Sequence, residues 1–304
     1  MKIVIPEPLS TASVLSSNVA YPSVSDPAVW NSATAYKIGD VCRIDYIIYE
    51  ALKANTNINP STDTGDNWQE AGLVSKFALI DRYIGSKSIA TAEENGVWKI
   101  ECQVDFGDAV IDTLGLFGLD GKTLTVRQYD RTTNEMVREI VMDLQDESRV
   151  SDYSSYFFGP FYFKNDVVLP MALYRSKVTI ILEKSGSPSK IGAVAAGKSF
   201  HLGVTQTDPE CGINDYSKRE NTLSGYAYLK KGRTARRQRI NVTCPSSDQD
   251  MVTKLMTQAA GMAVIYITAG FFESNIIYGF CRSFGFYYSN NDTSYFSLDV
   301  ESLI

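Results

Sequence analysis

The chain has a single histidine, His201, among its 304 residues. A Ser-His-Asp or Cys-His arrangement would have to use it, and no G-x-S-x-G element supplies a nucleophile. A zinc centre built on several imidazoles is excluded by the same count. The cysteines Cys42, Cys102, Cys211, Cys244 and Cys281 are odd in number, and none has C-x-x-C spacing. That argues against a disulfide framework or a thiolate metal site, and free thiols suit a reducing cytoplasm. Long hydrophobic runs are missing too. The longest, residues 262–272, contains Gly270 and is too short to span a bilayer. Pro6 and Pro8 break the first apolar stretch, so it does not read as a secretory signal. Positive charge is in deficit: 29 Lys and Arg stand against 35 Asp and Glu, a net charge of −6. Bulk electrostatics therefore gives nucleic acid no purchase. Glu93-Glu94 and Asp105/Asp108 could pair for glycoside hydrolysis, but carboxylates this common mark no site. The expectation is a protein that is not an enzyme, takes no cofactor or metal, and binds neither membrane nor nucleic acid.

What the chain does have is aromatic and apolar residues. Hydrophobic residues make up 44%, with 18 Tyr and 14 Phe, a composition that favours strands and allows real cores. Residues 30–72 carry Trp30, Tyr36, Gly39-Asp40-Val41, Tyr49-Glu50-Ala51, Pro60 and Trp68. Cys42-Arg43-Ile44 and Ile47-Ile48-Tyr49-Glu50-Ala51 read as two arms of a hairpin across Asp45-Tyr46, and 57–67 reads as a polar loop. A unit this small depends on its large aromatics for a core, so Trp30, Tyr36 and Trp68 are expected to pack together.

Further on, Trp98, Ile100, Cys102, Val104 and Phe106 alternate with Lys99, Glu101, Gln103 and Asp105, the pattern of a half-buried strand. Asp120-Gly121 predicts a hairpin turn, with Thr123–Tyr129 as the partner strand. More strands are expected at 137–144, 156–163 and 177–183, giving an antiparallel sandwich. Ser185-Gly186-Ser187-Pro188-Ser189 marks a boundary. Beyond it, short strands are expected at 192–196, 200–205, 223–230, 233–243, 263–268, 276–282 and 294–300. One helix is expected at 248–260, capped by Ser246 or Ser247 with Gln249 or Asp250 closing a capping box. Its stripe would be Met251, Val252, Leu255, Met256 and Ala259, and Gly261 would stop it.

Gly192-Ala193-Val194-Ala195-Ala196-Gly197-Lys198-Ser199 matches the P-loop pattern. It lacks the preceding buried strand and the following helix that the chemistry needs, so a strand and turn are expected there instead. Arg233, Arg236, Arg237 and Arg239 form the one dense basic strip, read as a subunit interface that meets acidic surface on a neighbouring copy.

Trp30, Tyr36, Gly39, Asp40, Val41, Tyr49, Ala51, Pro60 and Trp68 resemble the small chitin-binding-type carbohydrate-binding module of bacterial chitinases and cellulases, which also occurs in tailed-phage proteins. Sugar-binding members carry exposed aromatics just after the Tyr-x-Ala element, and here that position reads Leu52-Lys53-Ala54-Asn55. A spacer or docking module and a glycan binder using Trp30, Tyr46 and Trp68 both remain open. Residues 109–129 look like part of a galactose-binding-type jelly roll. The whole layout resembles virion structural proteins of tailed bacteriophages, with 75–86 similar to their linker and 212–217 with 297–300 similar to their C-terminal domain.

The resulting expectation is a mainly β chain: an extended arm at 1–25, the module at 26–72, a jelly-roll-like β-sandwich at 73–184, and a β-rich domain with one helix at 185–304. The resemblance implies a multi-copy tail or tail-tip component, assembled in the bacterial cytoplasm beside other tail proteins and involved in host attachment. The alternative is a carbohydrate-binding accessory protein or adhesin that meets a host surface glycan.

Overall fold

The structure is a computed structural model that describes residues 1–146, 152–154, 162–206, 209–221, 226–268, 273–288 and 292–303. It is mainly β, with one large antiparallel sheet, a three-stranded satellite sheet and four two-stranded ones among the described residues. Within the expected extended arm at 1–25, the first residues form strand β1 (Lys2–Pro6). Ile3 and Val4 are fully buried on opposite faces of that strand. An apolar pair on adjacent residues needs cover on both sides, and only a position inside the chain's own sheet supplies it.

The satellite is the predicted small module. Its hairpin joins β2 (Val41–Ile44) to β3 (Ile47–Ala51), with Asp45 at positive φ in the turn, and β4 (Trp68–Leu73) adds the third strand. Both ends are tied down by one carboxylate. Asp26 accepts from the Ser23 amide at 2.7 Å and from the Ser75 amide at 2.8 Å.

The long strand β5 (Val97–Phe117) shows two sequence regimes in one element. Ile100, Cys102, Val104 and Phe106 alternate inward as expected, while from residue 113 onward every side chain is buried. The change marks where the strand leaves a half-wet surface for the middle of the sheet. Gly107 at φ +70° and a register shift between Asp105 and Val110 bend the strand between the two regimes.

Next come β6 (Thr123–Asp130) and β7 (Met136–Asp143). The strand expected at 156–163 lies outside the described residues except for Tyr162–Phe163, which pair with Gln145–Asp146. Then follow β8 (Val167–Ser185) and β9 (Ala193–His201). The Asp120-Gly121 turn does not pair β5 with β6. Each strand instead flanks β8. Nineteen residues of β8 offer both neighbours a longer ladder than a local hairpin could.

The remaining strands are β10 (Glu210–Asp215), β11 (Lys218–Asn221), β12 (Ala227–Lys230), β13 (Thr234–Pro245), β14 (Val264–Ile267), β15 (Ile276–Tyr288) and β16 (Thr293–Ser302). Helix α1 (Gln249–Ala259) buries Val252, Leu255, Met256 and Ala259, while Met251 at the stripe's edge stays exposed. The helix start differs from the expected one. A 3-10 turn, Ser246–Asp248, runs straight into the helix, and Asp248 makes no side-chain cap bond. Ser246 turns its hydroxyl to Ser294 instead, and Gly261 at φ +74° lies just past the helix end.

The large sheet runs β7-β6-β8-β5-β9-β1-β14-β15-β16-β13, with β10 on the far edge of β13. The chain's first strand thus sits in the middle. It pairs antiparallel with β9 on one side and β14 on the other. One core fills the half built on β5, β6 and β8, and a second lies under α1. A small seam cluster of Val4, Phe117, Ala193, Ala195, Ile265 and Tyr278 joins them, with the Phe117 and Tyr278 rings stacked at 4.8 Å and 10°.

Candidate functional site

Within the module, the Tyr36 and Trp68 rings meet edge to face at 5.0 Å and 73°, over Cys42 and Ala51. Trp68 is only 2% exposed, and its indole N–H donates to the Ile58 carbonyl at 3.0 Å. Asp63 holds the strand start from below, accepting from the amides of Asn67 and Trp68, both at 2.9 Å. These donors, led by the Asn67 side chain, pull its carboxyl down to about 2. Trp68, named above as a stacking residue, therefore has no ring face left for a sugar. Trp30 is half-buried against the same cluster. The expected packing of Trp30, Tyr36 and Trp68 is what the geometry shows.

Tyr46 is different. It sits in the hairpin turn, 41% exposed, with the Tyr21 ring at 5.0 Å and the Phe77 ring at 4.8 Å. The Arg43 guanidinium lies 5.3 Å from the centre of the Tyr21 ring and donates to its hydroxyl at 2.9 Å. Sequence spacing could not bring Tyr21, Tyr46 and Phe77 together, because they come from three segments. Phe77 is buried beneath, so the exposed part is the Tyr21–Tyr46 pair, tilted at 59°, with a cationic border.

The second concentration of chemistry is a cleft of about 570 Å³ at the seam between the halves, lined in part by Lys87, Asp166, Arg236 and Tyr278. Arg236 bridges it. One guanidinium nitrogen lies 2.7 Å from Asp166 and the other 3.2 Å from Glu273. Asp166 also accepts from the Gly118 amide at 3.0 Å. Burial pushes its carboxyl up, against the pull of Arg236. Tyr278, stacked on Phe117, is pushed up to about 12, chiefly by burial. Among the described residues, this cleft holds an ion network of Arg236, Asp166 and Glu273 and shows no nucleophile–base pair.

The arginine strip divides. Arg237 forks onto Asp299 at 2.9 and 2.7 Å, and Arg239 reaches Glu210 at 3.5 Å. With Arg236 clamped on Asp166 and Glu273, these three spend their charge inside the chain. Each of the three thus has an acidic partner within its own chain, while Arg236 and Arg239 stay partly open to the surface. The acids that meet them lie far off in sequence, on β10, β16 and two loops. Arg233, at the foot of the β11–β12 ribbon, and Arg239 are both exposed.

The P-loop match is strand throughout from Ala193. Its backbone is consumed by ladders to β5 and β1, and Ser199 binds Asp112 through both its amide and its hydroxyl, at 2.8 and 3.0 Å. A Cβ on Gly197 would stand 2.1 Å from the Ile5 carbonyl oxygen, so this glycine serves strand packing rather than a phosphate. His201 is exposed at the strand end. Among the described residues, no group of His, Cys, Asp and Glu could hold a metal. No helix among them is long and apolar enough to cross a membrane.

The surface that sequence reasoning overlooked is the β11–β12 ribbon. Lys218, Arg219 and Glu220 are exposed, as is every side chain of β12. Leu229 is 71% exposed, and Ile213 at its base is 72% exposed. The Tyr226-x-Tyr228 spacing between lysines and arginines was the available signal, an alternation with no dry face.

Neither the family models nor the curated proteins yield a match to this chain. Among solved structures, a histidine mutant of the lectin-binding domain of lectinolysin, complexed with Lewis b, aligns with 40% of this chain and 82% of its own, at 13% identity and a TM-score of 0.28. A likeness this slight fixes neither fold nor ligand for this chain.

Proposed function

We propose that the chain is a repeated structural component of a tailed-phage virion, part of a tail or tail tip built from several copies beside other tail proteins. The β11–β12 ribbon carries the assembly part of this reading. A two-stranded ribbon with both faces uncovered is marginal in water and exposes apolar side chains that a free monomer would bury. Among the described residues β7 has no partner on its outer edge, where Met136 and Val141 stand exposed. The virion part rests on the resemblance of the module and the chain layout. The test is the native mass of the purified protein, with electron microscopy of the intact particle. Multiples of 33.7 kDa and density in the tail support the proposal. A monomer at high concentration, with no density in the particle, overturns it.

A second reading, a carbohydrate-binding accessory or adhesin, is favoured by one observation, the exposed Tyr21–Tyr46 pair beside Arg43. Calorimetric titration with chitin oligosaccharides and host-surface glycans tests it. Binding that Tyr46→Ala abolishes and Trp30→Phe leaves intact would place the sugar on this face.

A further inference from the structure

We infer that the β11–β12 ribbon of one copy docks on the acidic, apolar rim of the small module of the next copy. The inference rests on the assembly reading above and names its contact. Lys218 lies directly opposite Lys230 across the ribbon, and both are exposed. Like charges at facing positions destabilise a ribbon, and an anionic surface laid against them relieves the repulsion. Residues 216–233 hold five basic side chains against one acidic, Glu220. The ribbon is also firmly mounted. Tyr216 donates its hydroxyl to Glu301 and its amide to the Arg233 carbonyl, and a Cβ on Gly232 would stand 2.4 Å from the Tyr216 carbonyl. Anchored at its foot, the ribbon presents Leu229, and Tyr228 with its hydroxyl on Glu220, to a partner.

The complement is in the same chain. Residues 26–72 hold seven acidic side chains against three basic ones. The Gly39 amide donates to the Ala51 carbonyl at 2.8 Å, and the Leu52 amide to the Asn67 carbonyl at 2.7 Å. These bonds set Ile38, Val41 and Leu52 along one rim, all exposed, with Ile38 at 73%. Glu50 faces Val41 across the hairpin, and Asp66 adjoins Asn67. Lys37 and Lys53 adjoin this strip as well, so the match rests on its apolar residues and on Asp40, Glu50 and Asp66, set against an apolar ribbon bordered by lysines and arginines. The two surfaces are different patches, so the contact is head-to-tail and generates a ring when the rotation closes.

Charge exchange tests the contact, read by sedimentation velocity on the full chain. One variant carries Lys218→Glu with Lys230→Glu, the other Glu50→Lys with Asp66→Lys. All four positions are on the surface, and circular dichroism checks the fold. Each variant alone is expected to self-associate about tenfold more weakly than wild type. An equimolar mixture recovers assembly, because each reversed patch meets its reversed complement. Wild-type assembly that neither variant weakens, or weakening that mixing does not repair, overturns this contact and leaves the assembly reading standing. A wild-type protein that stays a monomer at high concentration overturns both.

Discussion

Trp68 and Asp81 show how much single side chains decide here. Trp68 fills most of the module's small core, so Trp68→Ala should cost about 3–5 kcal/mol and unfold the module. Loss of the Tyr36–Trp68 aromatic signal in near-ultraviolet circular dichroism, with the far-ultraviolet strand signal kept, is the expected readout. Asp81 is buried where the module meets the body. It accepts from the Tyr83 amide at 2.9 Å, more distantly from the Leu73 amide at 3.4 Å, and from the Ser86 hydroxyl. Burial outweighs these bonds and pushes its carboxyl from the usual 3.8 up to about 6. The folded chain therefore holds this proton more tightly than the unfolded chain. Its contribution to stability is complete below pH 3.8 and is lost as pH rises through about 6. Urea midpoints across that window should fall more steeply for wild type than for Asp81→Asn, and equal slopes would refute the assignment. At this scale the sequence was legible wherever a residue's role is set by near neighbours, as with Trp68, Tyr36 and Asp45. It was not legible for Arg236 and Arg237, because the carboxylates that neutralise them come from other strands and loops.

Among the elements, β1 and β9 carry the largest structural demand. β9 accepts β1 only because Gly197 leaves room for the Ile5 carbonyl. Gly197→Ala should therefore lower the thermal midpoint by several degrees, whereas Gly186→Ala, where no neighbour lies within 4 Å but φ is +79°, should show only the modest cost of its backbone. Comparable shifts in the two variants would show that the close approach at Gly197 is not what matters. The alternating strand 98–106 and helix α1 could be read from their periods, since a period needs only local sequence. The pairing of β5 with β8 instead of β6, and the central place of β1, are choices between distant partners, and no local pattern encodes them. Nor could the contact of Ser246 with Ser294 be foreseen, since the two lie far apart in sequence.

For the whole molecule, the Arg236 clamp holds loops from both halves across the seam. Arg236→Ala leaves Asp166 buried without its cation and should cost about 1–3 kcal/mol, reduced by the partial exposure of the pair. Adding Asp166→Asn should restore part of that loss, and strictly additive effects in a thermal melt would show that the two do not act together. The central position of β1 also governs how the chain reaches this state. Ile3 pairs with Phe200 and with Tyr266, so the strand leaves the ribosome long before either partner exists. The half around β5, β6 and β8 can collapse during synthesis, but its β9 edge stays open until β1 returns to it. The α1 half can then close only on the other side of the same strand. Joining the two is a late event between residues far apart in the chain, a slow class of folding step that leaves sticky edges uncovered while it waits.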